Sequence, residues 1–250
     1  MIIYLAGECF GEEIFQKVNF KFNRLDSFMY ANKSSWQKKF ITFYKNYILD
    51  SGAFTFIMQA KKQEKVKVDI DSFTDEYIDF VLENKVQNFF EMDVDVVYGY
   101  DKVKQLRSRI EQKTGRKTIP VYHMSRGLED FKAMTKDYDY IALGLGGKDF
   151  SFTDWKTFKA FNDYAKANKS RVHMLGVTGM TVLDKVDFYS VDSSSWTAGN
   201  RYGGFINQFK NGRMEQIQKP KGFKIKDHKV LALHNLKEWI RFADYKEGGF

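Results

Sequence analysis

The chain has 250 residues, 43% hydrophobic and 29% charged, which excludes a disordered polymer and suffices for one large core. A formal charge of +8 points to an anionic partner, nucleic acid first. Cys9 is the one cysteine, so no internal disulfide and no cysteine-rich metal site can form, and a reducing compartment is expected.

The opening MIIYLAGECFGEE lacks a basic n-region and a long apolar stretch, so no signal peptide is expected. No run approaches the ~18 apolar residues of a membrane span. Residues 2–6 read as a first strand, and 24–28 as irregular chain or a short helix. Residues 47–49 form a strand that ends in Asp50-Ser51-Gly52-Ala53-Phe54. Residues 72–84 form an amphipathic helix with Tyr77, Phe80 and Val81 on one face and Ser72 as its cap. Residues 86–92 are a strand ending in Asp93-Val94-Asp95. Residues 101–112 are a charged helix closed by Gly115.

A strand over 118–122 ends at His123, and a helix follows over 129–135. A strand over 138–143 runs into Gly144-Leu145-Gly146-Gly147. A helix over 153–167, capped by Ser151 or Thr153, precedes a strand over 171–175 that ends at Gly176. The strand over 187–191 ends at Asp192. Residues 203–209 are the last expected strand and 233–245 the closing helix.

That makes eight strands, mostly separated by helices, with acids, a histidine and glycines repeatedly just after them. Eight parallel strands with right-handed crossovers close a barrel whose reactive groups gather at the strands' C-terminal ends. The expected fold is therefore α/β, a single-domain (β/α)8 TIM barrel over residues 1–250. A doubly wound open sheet is the alternative. Residues 210–229, KNGRMEQIQKPKGFKIKDHK, form a lysine-rich insertion before the last helix. Lys210, Arg213, Lys219, Lys221, Lys224 and Lys226 are candidate phosphate contacts on the side where Asp192 opens; a solvated hairpin accounts for them equally well.

Asp50, Asp93 and Asp192 are carboxylates at three strand ends, which suits glycosidic chemistry: one attacks a sugar carbon and another manages the leaving group's proton. Singly, each is more often a loop acid or helix cap than a catalyst; three at matching positions shift the odds. His123 is a base-contacting or proton-transfer candidate. The four histidines and one cysteine show no metal-ligand spacing, so neither a metal nor a cofactor is expected. The 143–147 segment lacks the full dinucleotide fingerprint.

The segment from Asp50 to Phe54 resembles the Asp-Ser-Gly-Gly-Phe-Gln motif of the tRNA-guanine transglycosylases. The segment from Asp192, DSSSWTAGNRYG, is similar to that family's Asp-Cys-Val-x-Pro-Thr-Arg-Asn-Ala-Arg-x-Gly, sharing Asp192, Thr197, Arg201 and Gly203. Residues 143–147 stand where the family has Gly-Gly-Leu-Ala, and Leu175-Gly176-Val177 resembles its Met-Gly-Val. The resemblance implies a TIM barrel and base exchange at an N-glycosidic bond. Asp192 would be the nucleophile and Asp50 the acid/base. Asp93 would bind the Watson–Crick edge of the base. Ser51, Gly52, Phe54, His123, Gly144, Gly146, Gly147, Gly176 and Arg201 would complete the substrate site. The incoming base would be a 7-deazaguanine such as preQ0 or preQ1.

The family's zinc cluster is absent, and Trp196 and Ala198 replace a proline and an arginine of the nucleophile loop. These departures favour the compact, virus-encoded relatives that act on DNA, in the cytoplasm of a host cell, as monomer or homodimer. There the lysines would grip the backbone, and Trp196, Tyr202 and Phe54 would face a flipped base. The rival expectations are the same exchange on tRNA, a nucleoside hydrolase or glycosylase that uses water, and a non-catalytic nucleic-acid-binding barrel.

Overall fold

The computed structural model describes residues 1–62, 69–145, 150–151, 153–202, 205–219, 221–222 and 225–248, apart from the side chains of Phe54 and residues 59–62. Eight strands run parallel: β1 (Ile2–Ala6), β2 (Arg24–Ser27), β3 (Tyr47–Asp50), β4 (Asn88–Phe89), β5 (Val121–Tyr122), β6 (Tyr140–Leu143), β7 (Arg171–Met174) and β8 (Ser190–Ser193). Their order is β4-β3-β2-β1-β8-β7-β6-β5. The two end strands meet through a parallel bridge between Phe90 and Ile119. There Ile119 N donates to Phe89 O at 2.8 Å and Glu91 N to Ile119 O at 3.2 Å. The ring is closed, and the fold is the expected (β/α)8 barrel.

Strand alternation sorts the side chains into two cores. Tyr4, Leu25, Ile48, Phe90, Val121 and Tyr140 fill the barrel interior. Ile3, Leu49, Phe89 and Val191 face outward and are covered by helices through Tyr77, Leu106, Phe158 and Trp239. The helix Ile70–Glu83 buries Phe73, Tyr77 and Phe80. Its cap is Asp69, which accepts from Ser72 N at 2.9 Å, so Ser72 is the receiving amide rather than the cap. Asp154 likewise caps Trp155–Ala167 in place of Ser151 or Thr153. Tyr100–Thr114 ends at Gly115, whose φ of 67° is the left-handed cap that its sequence predicts.

Two expectations are corrected. Residues 24–28, expected as irregular chain or a short helix, are a barrel strand, β2, up to Ser27, and a short helix begins only at Phe28. Arg24 and Asp26 point outward from it and form a buried ion pair, with Arg24 Nε donating to Asp26 Oδ1 at 2.7 Å. Of the expected strand 203–209, residues 203 and 204 lie outside the described residues and the rest does not join the barrel: β9 (Phe205–Lys210) pairs antiparallel with β10 (Arg213–Gln218) in a separate hairpin. The expected count of eight thus stands with one member exchanged.

The hairpin is anchored to the closing helix His228–Lys246, where Asn235 Oδ1 accepts from Asn207 N at 2.9 Å and Glu238 Oε2 from Phe209 N at 2.7 Å. Between β7 and β8 the chain has only the one-turn helix Met180–Leu183. Phe209 and Met214 of the hairpin pack against the core, and Met214 N lies 3.4 Å from Met180 Sδ. The hairpin therefore covers barrel surface that a longer helix would otherwise shield.

Candidate active site

The same alternation aims one set of polar groups into the C-terminal mouth. In β3, Ile48 faces the interior and so does Asp50 two residues on. In β8, Ser190 and Asp192 share the inner face. In β5 and β6, His123 and Gly144 follow Val121 and Ala142 on the inner side. Asp50 and Asp192 lie within their strands rather than beyond them, which fixes their backbones by sheet pairing.

The Asp50 carboxyl feels the charges of both Asp93 and Asp192. The pKa of Asp50 is pushed up to about 6, first by burial and then by the negative charges of Asp93 and Asp192; hydrogen bonds from Gly52 N and Ser27 oppose the rise. Gly52 N lies 3.2 Å from Asp50 Oδ2. This turn requires glycine: φ is +64°, and a Cβ there would lie 2.3 Å from Ser27 Oγ. Ser51 is buried behind it, its hydroxyl 3.5 Å from Ala53 N. Asp192 Oδ1 accepts from Gly176 N at 2.7 Å and lies 3.4 Å from His173 Nε2.

Asp93 is held from two sides. Its Oδ2 lies 2.8 Å from His123 Nε2, and its Oδ1 accepts from Arg126 Nη2 at 3.1 Å. The other His123 nitrogen, Nδ1, lies 3.0 Å from Gly144 O. Both ring nitrogens thus face acceptors, and only the imidazolium can donate to both. Burial works against that charge, but the Asp93 hydrogen bond and carboxylate outweigh it and raise the His123 pKa above its ordinary value.

Beneath them, fully buried Glu91 accepts from Arg126 Nη1 at 2.9 Å, Arg107 Nε at 2.6 Å and Val121 N at 2.9 Å. Burial raises its pKa even though both guanidiniums pull it down. Arg126 also donates to Asp95 Oδ2 at 3.0 Å and lies over the Tyr100 ring. Asp93, Asp95 and His123 offer atoms within 4.8 Å of one another, the set that could hold a metal ion. Arg126 already places a cation against both carboxylates.

The remaining expected residues separate into groups. Arg201 donates from Nη2 to Ser194 O and Oγ at 3.2 and 3.1 Å, on the loop just past Asp192. Tyr202 beside it is 75% exposed. Trp196 is not a base platform: it is fully buried, donates from Nε1 to Ala6 O at 2.7 Å, and packs edge-on to Phe15. Gly146, Gly147 and Lys224 lie outside the described residues, as does the Phe54 side chain.

The basic stretch divides between the two ends of the barrel. Lys219, Lys221 and Lys226 are exposed near the N-terminal end of the closing helix, where Asn200 Nδ2 donates to His228 O at 2.7 Å. Lys210 and Arg213 flank the hairpin turn at the opposite end. There Gly212 abuts Tyr245, Arg213 Nη1 pairs with Asp184 Oδ2 at 2.7 Å, and the N-terminal ammonium donates to Lys246 O.

His173, Ser190, Tyr140, Glu91 and Arg126 join the site without a motif to mark them in the sequence. A histidine inside an apolar strand and a glutamate at the end of one were the available signals, since alternation aims His173 inward beside Asp192. No protein-family model matches the chain, and no curated protein matches it.

Proposed function

We propose that the protein is a base-exchanging N-glycosyl transferase of the tRNA-guanine transglycosylase type. It replaces guanine in a polynucleotide, DNA in preference to tRNA, with a 7-deazaguanine. The observation that carries this reading is that the Asp50 carboxyl feels the charges of Asp93 and Asp192 while the three have unequal surroundings. The Asp50 pKa is pushed up to about 6 by burial first and by the charges of Asp93 and Asp192 after it. Asp192 is held at Oδ1 by a backbone amide. Asp93 is clamped by His123 and Arg126. Carboxylates pushed to different protonation states divide acid and nucleophile roles.

In the first half-reaction an Asp192 oxygen forms a bond to C1′ as the C1′–N9 bond breaks, and protonated Asp50 gives its proton to the departing guanine. In the second, Asp50 takes the N9 proton of the 7-deazaguanine, N9 bonds to C1′, and the Asp192 carboxylate leaves. Asp93, fixed from behind by Arg126, is suited to accept from the donor-bearing edge of guanine. The lysines near the mouth support a polyanionic substrate. The missing zinc cluster supports DNA over tRNA.

The test offers the protein labelled preQ0 or preQ1 with duplex DNA and with tRNA. Label in DNA, abolished by Asp192→Asn, is expected. Label only in tRNA overturns the choice of DNA, and guanine release without incorporation overturns base exchange in favour of hydrolysis.

A further inference from the structure

His173 lies inside the barrel with no solvent exposure, between the rings of Tyr4 and Phe90. Its Nδ1 is 2.8 Å from Ser190 Oγ, and Ser190 Oγ is 2.6 Å from Tyr140 OH. Its Nε2 is buried with no close hydrogen-bond partner among the described residues, and Asp192 Oδ1 faces it at 3.4 Å.

The chain of groups fixes the tautomer. Among the described residues the Tyr140 hydroxyl has Ser190 Oγ as its partner, and burial keeps the phenol protonated. Tyr140 donates to Ser190, Ser190 donates to Nδ1, and the ring proton is left on Nε2, directed at Asp192. The opposite tautomer would strand the Tyr140 proton and aim an imidazole lone pair at a carboxylate.

We propose that His173 is a positioning residue for the nucleophile, donating from Nε2 to Asp192 Oδ1 alongside the Gly176 amide, so that Oδ2 is the oxygen that attacks C1′. This rests on the reading of Asp192 as nucleophile. Two donors on one oxygen stop the carboxylate from rotating and leave the other oxygen, among the described residues, without a donor to give up during attack. Hydrogen bonds in a free site are commonly long and tighten on the substrate complex. Asp50 of β3, whose carboxyl feels the Asp192 charge, is untouched by changes at His173.

The test has two arms. The first is 15N NMR of the ligand-free protein, with the His173 signals assigned by their loss in His173→Gln. The Nε2–H tautomer at neutral pH is expected, and Ser190→Ala is expected to perturb Nδ1. A ring protonated on Nδ1 overturns the proposal whatever the protein catalyses.

The second arm is base exchange. His173→Phe is expected to lower kcat about 10- to 100-fold with KM for the base unchanged, and to move the acid limb of the pH profile upward. His173→Gln, which keeps an N–H donor, restores part of the rate. A His173→Phe protein with the rate and pH profile of the parent overturns the proposal while Asp192→Asn still tests the function. If His173→Phe does not fold, Ser190→Ala carries the same comparison.

Discussion

His123 Nε2 sits 2.8 Å from Asp93 Oδ2, and the opposite ring nitrogen is turned to the Gly144 carbonyl. The pair is a charged hydrogen bond whose strength depends on a proton. The folded His123 pKa lies above its ordinary value of 6.5. Stability from the pair is therefore fully present below the unfolded pKa and is lost as pH rises through the folded one. Proton NMR of the ring is expected to show the raised value, and Asp93→Asn to bring it down. The stability gap between parent and Asp93→Asn should be widest between about pH 5 and 6.5 and close on the alkaline side. A gap that widens above neutrality contradicts the imidazolium assignment.

Gly144 tests the same pair without touching a titrating group. A Cβ there would lie 2.4 Å from His123 Cε1 and 2.7 Å from Nδ1, so the ring must leave its place between Asp93 and the carbonyl. Gly144→Ala is expected to cost about 1–3 kcal/mol, to return the His123 pKa toward its ordinary value, and to weaken binding of the base. Retention of the parent titration curve would show that the ring tolerates the methyl group.

Asp50 carries a cost that the fold absorbs. Its pKa rises from 3.8 to about 6, a difference of roughly 3 kcal/mol against the ionised form. With the folded value above the unfolded one, the native state is favoured by the protonated form at low pH and loses that advantage as pH rises through about 6. Asp50→Asn has no such charge to bury. It is expected to be more stable than the parent at pH 8, with the difference vanishing below about pH 4, as thermal unfolding across pH would show. Exchange activity should fall about 10²- to 10⁴-fold. A variant less stable than its parent at pH 8 would mean that the carboxylate is held by favourable contacts instead.

The sequence shows the mouth more clearly than the barrel that makes it. Asp50, Asp93, His123 and Asp192 follow apolar runs directly, and the period of two places Asp50, His123 and Asp192 on the inner face; Asp93, three residues past the interior Phe90, is held by His123 and Arg126 instead. β2 is obscured because Arg24 and Asp26 read as solvated charges, although they satisfy each other in the layer outside the barrel. Residues 205–209 alternate like a strand and form one, but no local pattern says whether its partner is a barrel strand or a hairpin arm. Trp196 follows a polar loop and reads as an exposed ring; its contact with Phe15 joins residues 181 positions apart and has no local signature. His173 is visible as a histidine in a strand, while its role depends on Ser190 and Tyr140, which only the closed ring brings beside it.

The division of the basic stretch yields the last prediction. Lys219, Lys221 and Lys226 lie at the mouth end of the molecule, whereas Lys210 and Arg213 lie at the far end of the hairpin, with Arg213 engaged by Asp184. On the proposed function, a polynucleotide that presents one base to Asp192 would pass the first group and not the second. Replacing the three mouth lysines with glutamate is expected to weaken DNA binding uniformly across sequences. It should also flatten the dependence of log affinity on log salt by about one for each phosphate that is no longer neutralised. Replacing Lys210 and Arg213 should leave the salt slope unchanged and cost at most about 1 kcal/mol of stability, because an exposed ion pair contributes little. Salt-titrated binding to a duplex separates the two variants. Equal losses from both would mean that the polynucleotide runs along the hairpin instead of across the mouth, and that the base reaches Asp192 by another path.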